Sequence, residues 1–187
     1  MDEEASEIAS LETAAGKSPE EAREEFWSRY YPVHWDEIFR TTLRPSFLIS
    51  VMSFAETSVT RICDDVQTIL RAQIGVRDLR GNLWERSRLF LEAFGNFGAP
   101  EAAVWESTAR VYAIRNLFVH NDGVPLEGPG RRMREYTKLV PGFLETSLQF
   151  EIGPEFIPYV LATISSFFES LRGQLRDLCT RARTAED

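Results

Sequence analysis

The segment from Arg115 to Gly123 reads "RNLFVHNDG" and lies at the end of an apolar helical pattern. It places His120, one of two histidines in the chain, four residues after Asn116 and five residues after Arg115. Residues four apart share one face of a helix, so we expect Asn116 and His120 side by side. Arg115 is expected about 140° away from His120 around an ideal helix. Gly123 provides a left-handed stop, so the pattern predicts a helix that ends here with a polar cluster on its last turns.

Apolar positions at three- and four-residue spacing predict helices on both sides of this segment. Ser18, Pro19 and Glu21 form a helix-start signature with a capping box. Pro32 is expected to interrupt that first helix, and Pro45 marks the next boundary. Further helices are predicted over 46–75, over 78–94, from Pro100 to Asn121 and over 157–178.

The stretch between Gly123 and the last helix has a different character. Residues 123–145 contain repeated Pro and Gly and are expected to be non-helical. In "SLQFEI", at 147–152, apolar and polar residues alternate, which is typical of a short strand or hairpin. The sequence therefore predicts an all-α fold, a helical bundle with a short irregular or β-hairpin insertion before its last helix.

Acidic residues are concentrated at the N-terminus. Residues 1–25 contain nine of the 29 Asp and Glu but two of the 21 Lys and Arg, which leaves 20 acidic and 19 basic groups in the other 162. The acidic balance therefore describes the N-terminal segment and does not exclude a polyanionic partner for the rest of the chain. We expect an acidic, disordered tail over 1–17, one helical domain over 18–181 and a short C-terminal tail over 182–187.

Several classes of site find no support in the residue spacing. Cys63 and Cys179 are far apart and lie in apolar helical patterns, so buried free thiols in a reducing cytosol are expected. Two histidines and two dispersed cysteines do not form a zinc spacing, and we expect no metal or other cofactor. No glycine-rich phosphate loop precedes a predicted helix. The lack of an apolar leader and of a ~20-residue apolar run predicts a cytoplasmic protein with no membrane partner.

Spacing alone leaves two interpretations of the cluster open. In the first, the cluster is a functional site. In the second, Arg115 pairs with a carboxylate of the bundle, His120 caps its helix and the turn is structural. A second pair with the same spacing, Arg29 and His34, has a proline between its members, and His34 is interpreted as a structural residue.

The segment resembles the signature of the HEPN superfamily, a group of small all-α domains whose motif is an arginine, four to six further residues and a histidine. The residues that carry the resemblance are Arg115, Asn116, Val119, His120, Asn121 and Gly123. Such domains also often have an acidic residue midway along a preceding long helix, and Glu56 in "SFAETSV" occupies a comparable place. The resemblance covers the helical architecture from about Ser18 to Arg181.

The resemblance implies a metal-independent endoribonuclease of a toxin–antitoxin or phage-defence type. His120 would move a proton, and Arg115 would stabilise charge on the phosphate. Asn116 would position the ring or the substrate, and Glu56 would orient Arg115 or assist proton transfer. Attack by the 2′-hydroxyl of the RNA would leave a 2′,3′-cyclic phosphate and a 5′-hydroxyl.

Partners follow from the same resemblance. It implies a homodimer in which both motif helices line one cleft, and a cognate antitoxin or regulatory protein. Further candidates for RNA contact are Asn121 and the arginines of "RRMR", Arg131, Arg132 and Arg134, because guanidinium groups suit bidentate phosphate contacts. The alternative is a non-catalytic HEPN-like module for dimerisation or for binding a nucleotide or a partner.

Overall fold

The computed structural model of the chain describes residues 6, 8–10, 16, 18–94, 102–125 and 129–184. The chain forms two compact units, Met1–Leu43 and Arg44–Asp187. The domain start predicted at residue 18 falls inside the first unit. Most of the predicted acidic tail over 1–17 lies outside the described residues, as does Pro100, the predicted start of a helix.

The first unit contains one long helix, α1, over Pro19–Ile38, which continues as a π-helical turn over Phe39–Leu43. The predicted capping box is present. The Glu21 amide donates to the Ser18 hydroxyl over 3.3 Å, and the Glu21 carboxylate accepts from the Ser18 amide over 2.9 Å. These bonds satisfy two of the N–H groups that a helix N-terminus leaves unpaired, so the helix begins where the sequence predicts.

Helix α1 runs through Pro32, so the predicted interruption is wrong. A proline inside a helix removes one backbone hydrogen bond and costs about 3 kcal/mol. Ring contacts four residues apart span the proline and oppose this cost. Tyr30 stacks on His34 with centroids 5.1 Å apart, and Tyr31 lies 6.4 Å from Trp35.

The described residues of the second unit form five α-helices, a short 3-10 helix over Val76–Asp78 and a hairpin. The elements are α2 (Arg44–Leu70), α3 (Leu83–Phe94), α4 (Ala102–Asn121), α5 (Pro129–Thr137), β1 (Phe143–Glu145), β2 (Phe150–Ile152) and α6 (Phe156–Thr184). Helix α2 packs on α3, α4 and α6, and α4 also packs on α6. The mostly helical architecture, with a hairpin before the last helix, confirms the predicted all-α class. Helix α6 includes residues 182–184, which the sequence assigned to a C-terminal tail.

Helix α2 supplies one side of the core. Its fully buried residues recur every three or four positions: Leu48, Met52, Ala55, Val59, Cys63 and Val66. Phe167 of α6 lies at the centre of an aromatic group, 4.9 Å from Trp105 and 5.2 Å from Trp84 between ring centroids. These T-shaped contacts fix α3 and α4 against the last helix.

The insertion contains an element that the sequence analysis missed. Residues 129–137 form helix α5, although this stretch was predicted to be non-helical. Pro129 occupies the first helical position, where its fixed φ favours a helix start. Met133 and Tyr136, three residues apart, are both buried and hold this short helix on the core. The predicted strand is confirmed: β2 pairs antiparallel with β1, and Phe143 lies opposite Ile152.

No helix among the residues that the structure describes is long and apolar enough to cross a bilayer.

Candidate functional site

Helix α4 ends in a turn that also anchors the hairpin. Asp122 and Gly123 both have positive φ, 49° and 82°, and the Gly123 carbonyl accepts from the Phe150 amide over 2.8 Å. A Cβ atom at Gly123 would lie 2.6 Å from the carbonyl oxygen of Phe150. Only glycine combines this conformation with so close an approach. The "NDG" sequence therefore sets the path of the backbone after His120.

Three of the predicted site residues form one connected chain of contacts. Arg115 lies between Glu56 of α2 and its own neighbour Asn116. Its Nη2 is 3.7 Å from Glu56 Oε2, and its Nη1 donates to Asn116 Oδ1 over 2.9 Å. The two charged side chains are only 17% and 21% exposed, so water screens their attraction weakly. The structure thus brings Glu56, Arg115 and Asn116 together.

The contact with Arg115 fixes the orientation of the Asn116 amide. A guanidinium group can only donate hydrogen bonds, so the atom facing it must be the amide oxygen. The amide NH₂ is therefore turned away from Arg115 and is available as a donor to another group. Asn116 also lines a cleft between α3, α4 and α5, so the contacts of Arg115 adjoin this cleft.

His120 is exposed and has no hydrogen bond or ion pair with any described residue. Helix α4 stays regular through Asn121, so no distortion of its last turn brings Arg115 towards His120. The hydrogen bond of the Asn116 side chain to a described residue is the one from Arg115, and no described bond joins it to the imidazole. Within one chain the described contacts therefore leave His120 separate from the other three residues.

A cleft of about 310 Å³ opens between α3, α4 and α5. Its lining contains three aromatic rings, two carboxylates, two guanidinium groups and two amides: Trp84, Trp105, Tyr112, Glu85, Glu106, Arg88, Arg132, Asn82 and Asn116, with Ala109 and Ala113 between them. This volume lies at the lower end of the ~300–1,000 Å³ range of small-molecule sites. The cleft has room for one small ligand rather than for a folded macromolecule.

The face of α4 that lines the cleft is continuous with His120. Trp105, Ala109, Tyr112 and Asn116 recur every three or four residues, and His120 is the next position in this series. The sequence predicted a helix from Pro100 to Asn121 but did not indicate a cleft along it. The signal was available, because this stripe of α4 combines aromatic, small and polar residues where a core-facing stripe would be apolar.

The arginines of α5 differ in their surroundings. Arg132 lines the cleft, donates to the Tyr136 hydroxyl over 2.6 Å and lies over that ring at 5.6 Å. Arg134 instead pairs with Glu145 of β1 over 2.7 Å. Arg131 is exposed and makes no hydrogen bond or ion pair with a described residue. Asn121 is half-buried, and its backbone carbonyl accepts from Val124. Of these four candidates, the structure places only Arg132 in the cleft.

The second pair with the same spacing does not form a comparable cluster. Arg29 pairs with Glu25, one turn earlier on α1. His34 stacks on Tyr30, and its Nδ1 lies 3.4 Å from the tyrosine hydroxyl. Both members therefore have local partners on their own helix.

The cysteines lie in contrasting environments. Burial raises the pKa of the Cys63 thiol from 9.0 to about 11, a hydrogen bond with Ser87 partly opposes this rise, and the charge of Asp64 adds to it. Cys179 is exposed, so the expectation that it is buried is wrong. Among the described residues, no group of three or more His, Cys, Asp or Glu side chains is placed to hold a metal ion.

Comparisons of the chain with protein-family models, with curated proteins and with solved structures found no match.

Proposed function

We propose that this chain is an endoribonuclease of the HEPN type, in which His120 carries the proton transfer. The observation that supports the proposal is the arrangement around α4. His120 has no hydrogen bond or ion pair with a described residue and is the next position on the face of α4 that lines the 310 Å³ cleft, and the Glu56–Arg115–Asn116 contacts adjoin the same cleft. These are the residues on which the resemblance rests.

The reaction uses a nucleophile that RNA itself supplies. His120 removes the proton of a 2′-hydroxyl, and the resulting oxygen attacks the adjacent phosphorus. The bond from phosphorus to the 5′-oxygen breaks, and that oxygen takes up a proton as it leaves. The products are a 2′,3′-cyclic phosphate and a 5′-hydroxyl, and no metal or other cofactor takes part.

Arg115 cannot act freely within one chain, because Glu56 and Asn116 occupy its guanidinium group. Its first role is to hold the Asn116 amide with the NH₂ turned towards other groups. A homodimer that pairs two motif helices would place Arg115 of one copy near His120 of the other, where the remaining donors could stabilise charge on the phosphate.

Apolar surface near His120 favours such a dimer. Val119 and Val124 are 39% and 46% exposed on either side of the motif turn. A Val119→Glu substitution should lower the fraction of dimer in sedimentation velocity. Leu161→Glu, which changes a similarly exposed apolar residue of α6, should leave it unchanged. A wild-type chain that sediments as a monomer at high micromolar concentration would contradict the dimer.

The biological setting we propose is a toxin–antitoxin or phage-defence system, with RNA as substrate and a cognate antitoxin or regulatory protein as partner. Expression of the wild-type chain should then arrest bacterial growth, and His120→Ala should relieve the arrest. Equal arrest by both chains would contradict a toxicity that depends on RNA cleavage.

The residues are tested by incubating purified proteins with total RNA and a tRNA pool in EDTA. His120→Ala should lower the cleavage rate about 100-fold or more, which is the usual contribution of a general acid or base. Arg115→Ala should also lower it strongly. The matched controls are His34→Ala and Arg77→Ala. His34 stacks on Tyr30 within α1, and Arg77 pairs with Asp64 on the surface. Undiminished cleavage by His120→Ala would contradict the proposal.

The non-catalytic module remains a second candidate, and one observation favours it. Arg115 is mostly buried and already neutralised by Glu56, as in a structural ion pair. In that case the cleft would bind a nucleotide or a partner without cleaving RNA. Intact RNA after incubation with the wild-type dimer would favour this candidate.

A further inference from the structure

The cleft between α3, α4 and α5 has the composition of a site for a nucleobase. Trp84 and Trp105 form its floor, with ring centroids 6.4 Å apart, and Tyr112 lies 6.3 Å from Trp84. The two tryptophans are 3% and 4% exposed, whereas Tyr112 is half-buried and lines the cleft. Stacking on aromatic side chains is the main way in which proteins hold single unpaired bases.

Two buried donors in this floor are unsatisfied. The indole N–H groups of Trp84 and Trp105 have no hydrogen-bond partner among the described residues. A buried donor without a partner costs about 1–3 kcal/mol. Both nitrogens have almost no accessible surface, so they lie beneath the surface that a ligand in the cleft would contact.

Polar groups define the two ends of the cleft along α4. Glu106 is exposed, and its carboxylate has no hydrogen bond or ion pair with a described residue. Asn116 lies ten residues later, which is about 15 Å along a helix axis. Tyr112 lies between them, nearer to Asn116. A base stacked near Tyr112 can thus direct its polar edge towards Glu106 and its sugar and phosphate towards Asn116.

The free carboxylate selects among the bases. An ionised carboxylate only accepts hydrogen bonds, so it favours a base that presents donors on its Watson–Crick edge. Guanine presents two adjacent donors, N1–H and the N2 amino group, which match the two oxygens of Glu106. Adenine and cytosine present one amino group each beside an acceptor nitrogen, and uracil presents a single N–H between two carbonyls.

Arg132 provides the charge that the phosphate requires. Its Nε–H is used by the Tyr136 hydroxyl, which fixes the direction of the guanidinium group and leaves the Nη donors available. Arg132 lines the cleft together with Asn116, whose NH₂ is turned away from Arg115. Both groups donate hydrogen bonds, as recognition of a phosphate needs.

We propose that this cleft binds a guanine nucleotide of single-stranded RNA, with the base on Tyr112, its donor edge on Glu106 and a phosphate at Arg132. The inference rests on the proposed function in one respect, since it assigns to the cleft the nucleotide that precedes or follows the cleaved bond at His120. The binding itself requires no cleavage.

The test is isothermal titration calorimetry with GMP, AMP, CMP, UMP and guanosine in EDTA. GMP should bind at least about tenfold more tightly than the other three nucleotides, because a bidentate contact to a base edge discriminates by about this factor or more. Tyr112→Ala should weaken GMP binding about tenfold or more, whereas Tyr112→Phe, which keeps the ring, should retain it.

Two further variants separate the base from the phosphate. Glu106→Gln should reduce the preference for GMP over AMP, and the matched control Glu169→Gln, an exposed carboxylate of α6, should not. Arg132→Ala should remove the advantage of GMP over guanosine and leave guanosine binding in place. Far-UV circular dichroism confirms that each variant is folded.

The outcomes distinguish this inference from the ribonuclease proposal. His120→Ala should bind GMP like the wild type although it does not cleave RNA. RNA cleavage that depends on His120, together with no binding of GMP or with equal binding of all four nucleotides, would overturn the guanine site alone. GMP binding that depends on Tyr112 and Glu106, without any RNA cleavage, would support the guanine site and overturn the ribonuclease.

Discussion

The ion pair between Glu56 and Arg115 should stabilise the fold more than its length suggests. At a separation of 3.7 Å and an effective dielectric constant near 20, the charges attract by about 4 kcal/mol. Residual solvent access to side chains that are 17% and 21% exposed, and relaxation around them in the variants, reduce the measured attraction. The desolvation cost of each single charge cancels in a double-mutant cycle, so we expect a coupling of about 1–2 kcal/mol. A double-mutant cycle with Glu56→Gln and Arg115→Met, followed by urea unfolding, measures it.

The chain contains a second ion pair that is shorter than Glu56–Arg115 but more exposed, so it separates the effect of distance from the effect of burial. Arg134 and Glu145 are closer, at 2.7 Å, but their side chains are 63% and 37% exposed. Water screens such a pair, so the same cycle with Arg134→Met and Glu145→Gln should give less than about 0.5 kcal/mol. Both pairs lie in the second unit, and the unfolding slopes must agree between variants for the comparison to hold. A larger coupling for the exposed pair would refute the reasoning that burial outweighs distance.

Three further predictions concern stability and thiol chemistry. Phe167→Ala should lower the free energy of unfolding by about 3–5 kcal/mol in urea titrations, because it leaves a cavity between two tryptophans. Gly123→Ala should lower the free energy of unfolding by more than about 1 kcal/mol, since its methyl group would meet a backbone oxygen of β2 at 2.6 Å. The control Gly173→Ala, which has open space around it in α6, should raise the free energy of unfolding. Equal effects of the two substitutions would contradict the strain at the turn. Cys179 should react rapidly with Ellman's reagent and Cys63 only on unfolding. The raised pKa of the Cys63 thiol, about 11 against 9.0, contributes stability that is complete below pH 9 and lost as the pH rises towards 11.

The sequence predicted the elements whose signals are local. The capping box at Ser18 and the left-handed stop at Gly123 each depend on a few neighbouring residues, and both are present. The alternating pattern at 147–152 likewise gave the hairpin strand. In each case the backbone has few other ways to satisfy its hydrogen bonds.

The failures depend on contacts that spacing does not reveal. Pro32 was expected to break α1, but stacked rings on both sides of it favour a continuous helix. The composition of residues 129–137 suggested a loop, but burial of Met133 and Tyr136 on the core makes them helical. Local propensity is a weak prior where side-chain packing opposes it.

The candidate site likewise combines features that local spacing predicted and features that depend on tertiary contacts. The spacing placed Arg115 and His120 on different faces of an ideal helix, and the described contacts of Arg115 are with Glu56, which the resemblance had singled out, and with Asn116. The cleft was not predicted, because it depends on residues of α3 and α5 that approach α4 only in the folded chain. Asn116 was expected to position the imidazole ring or the substrate, and its amide oxygen instead accepts from Arg115, whose charge makes it a strong partner.

The chemistry of cleavage is tested most directly with a defined RNA in EDTA that carries a single 2′-deoxynucleotide at a position the wild-type protein cuts. Attack by the 2′-hydroxyl predicts that cleavage stops at that position and continues at the others, with 2′,3′-cyclic phosphate and 5′-hydroxyl ends that are missing with His120→Ala. Cleavage at the deoxy position, or ends with a 3′-hydroxyl and a 5′-phosphate, would contradict the account.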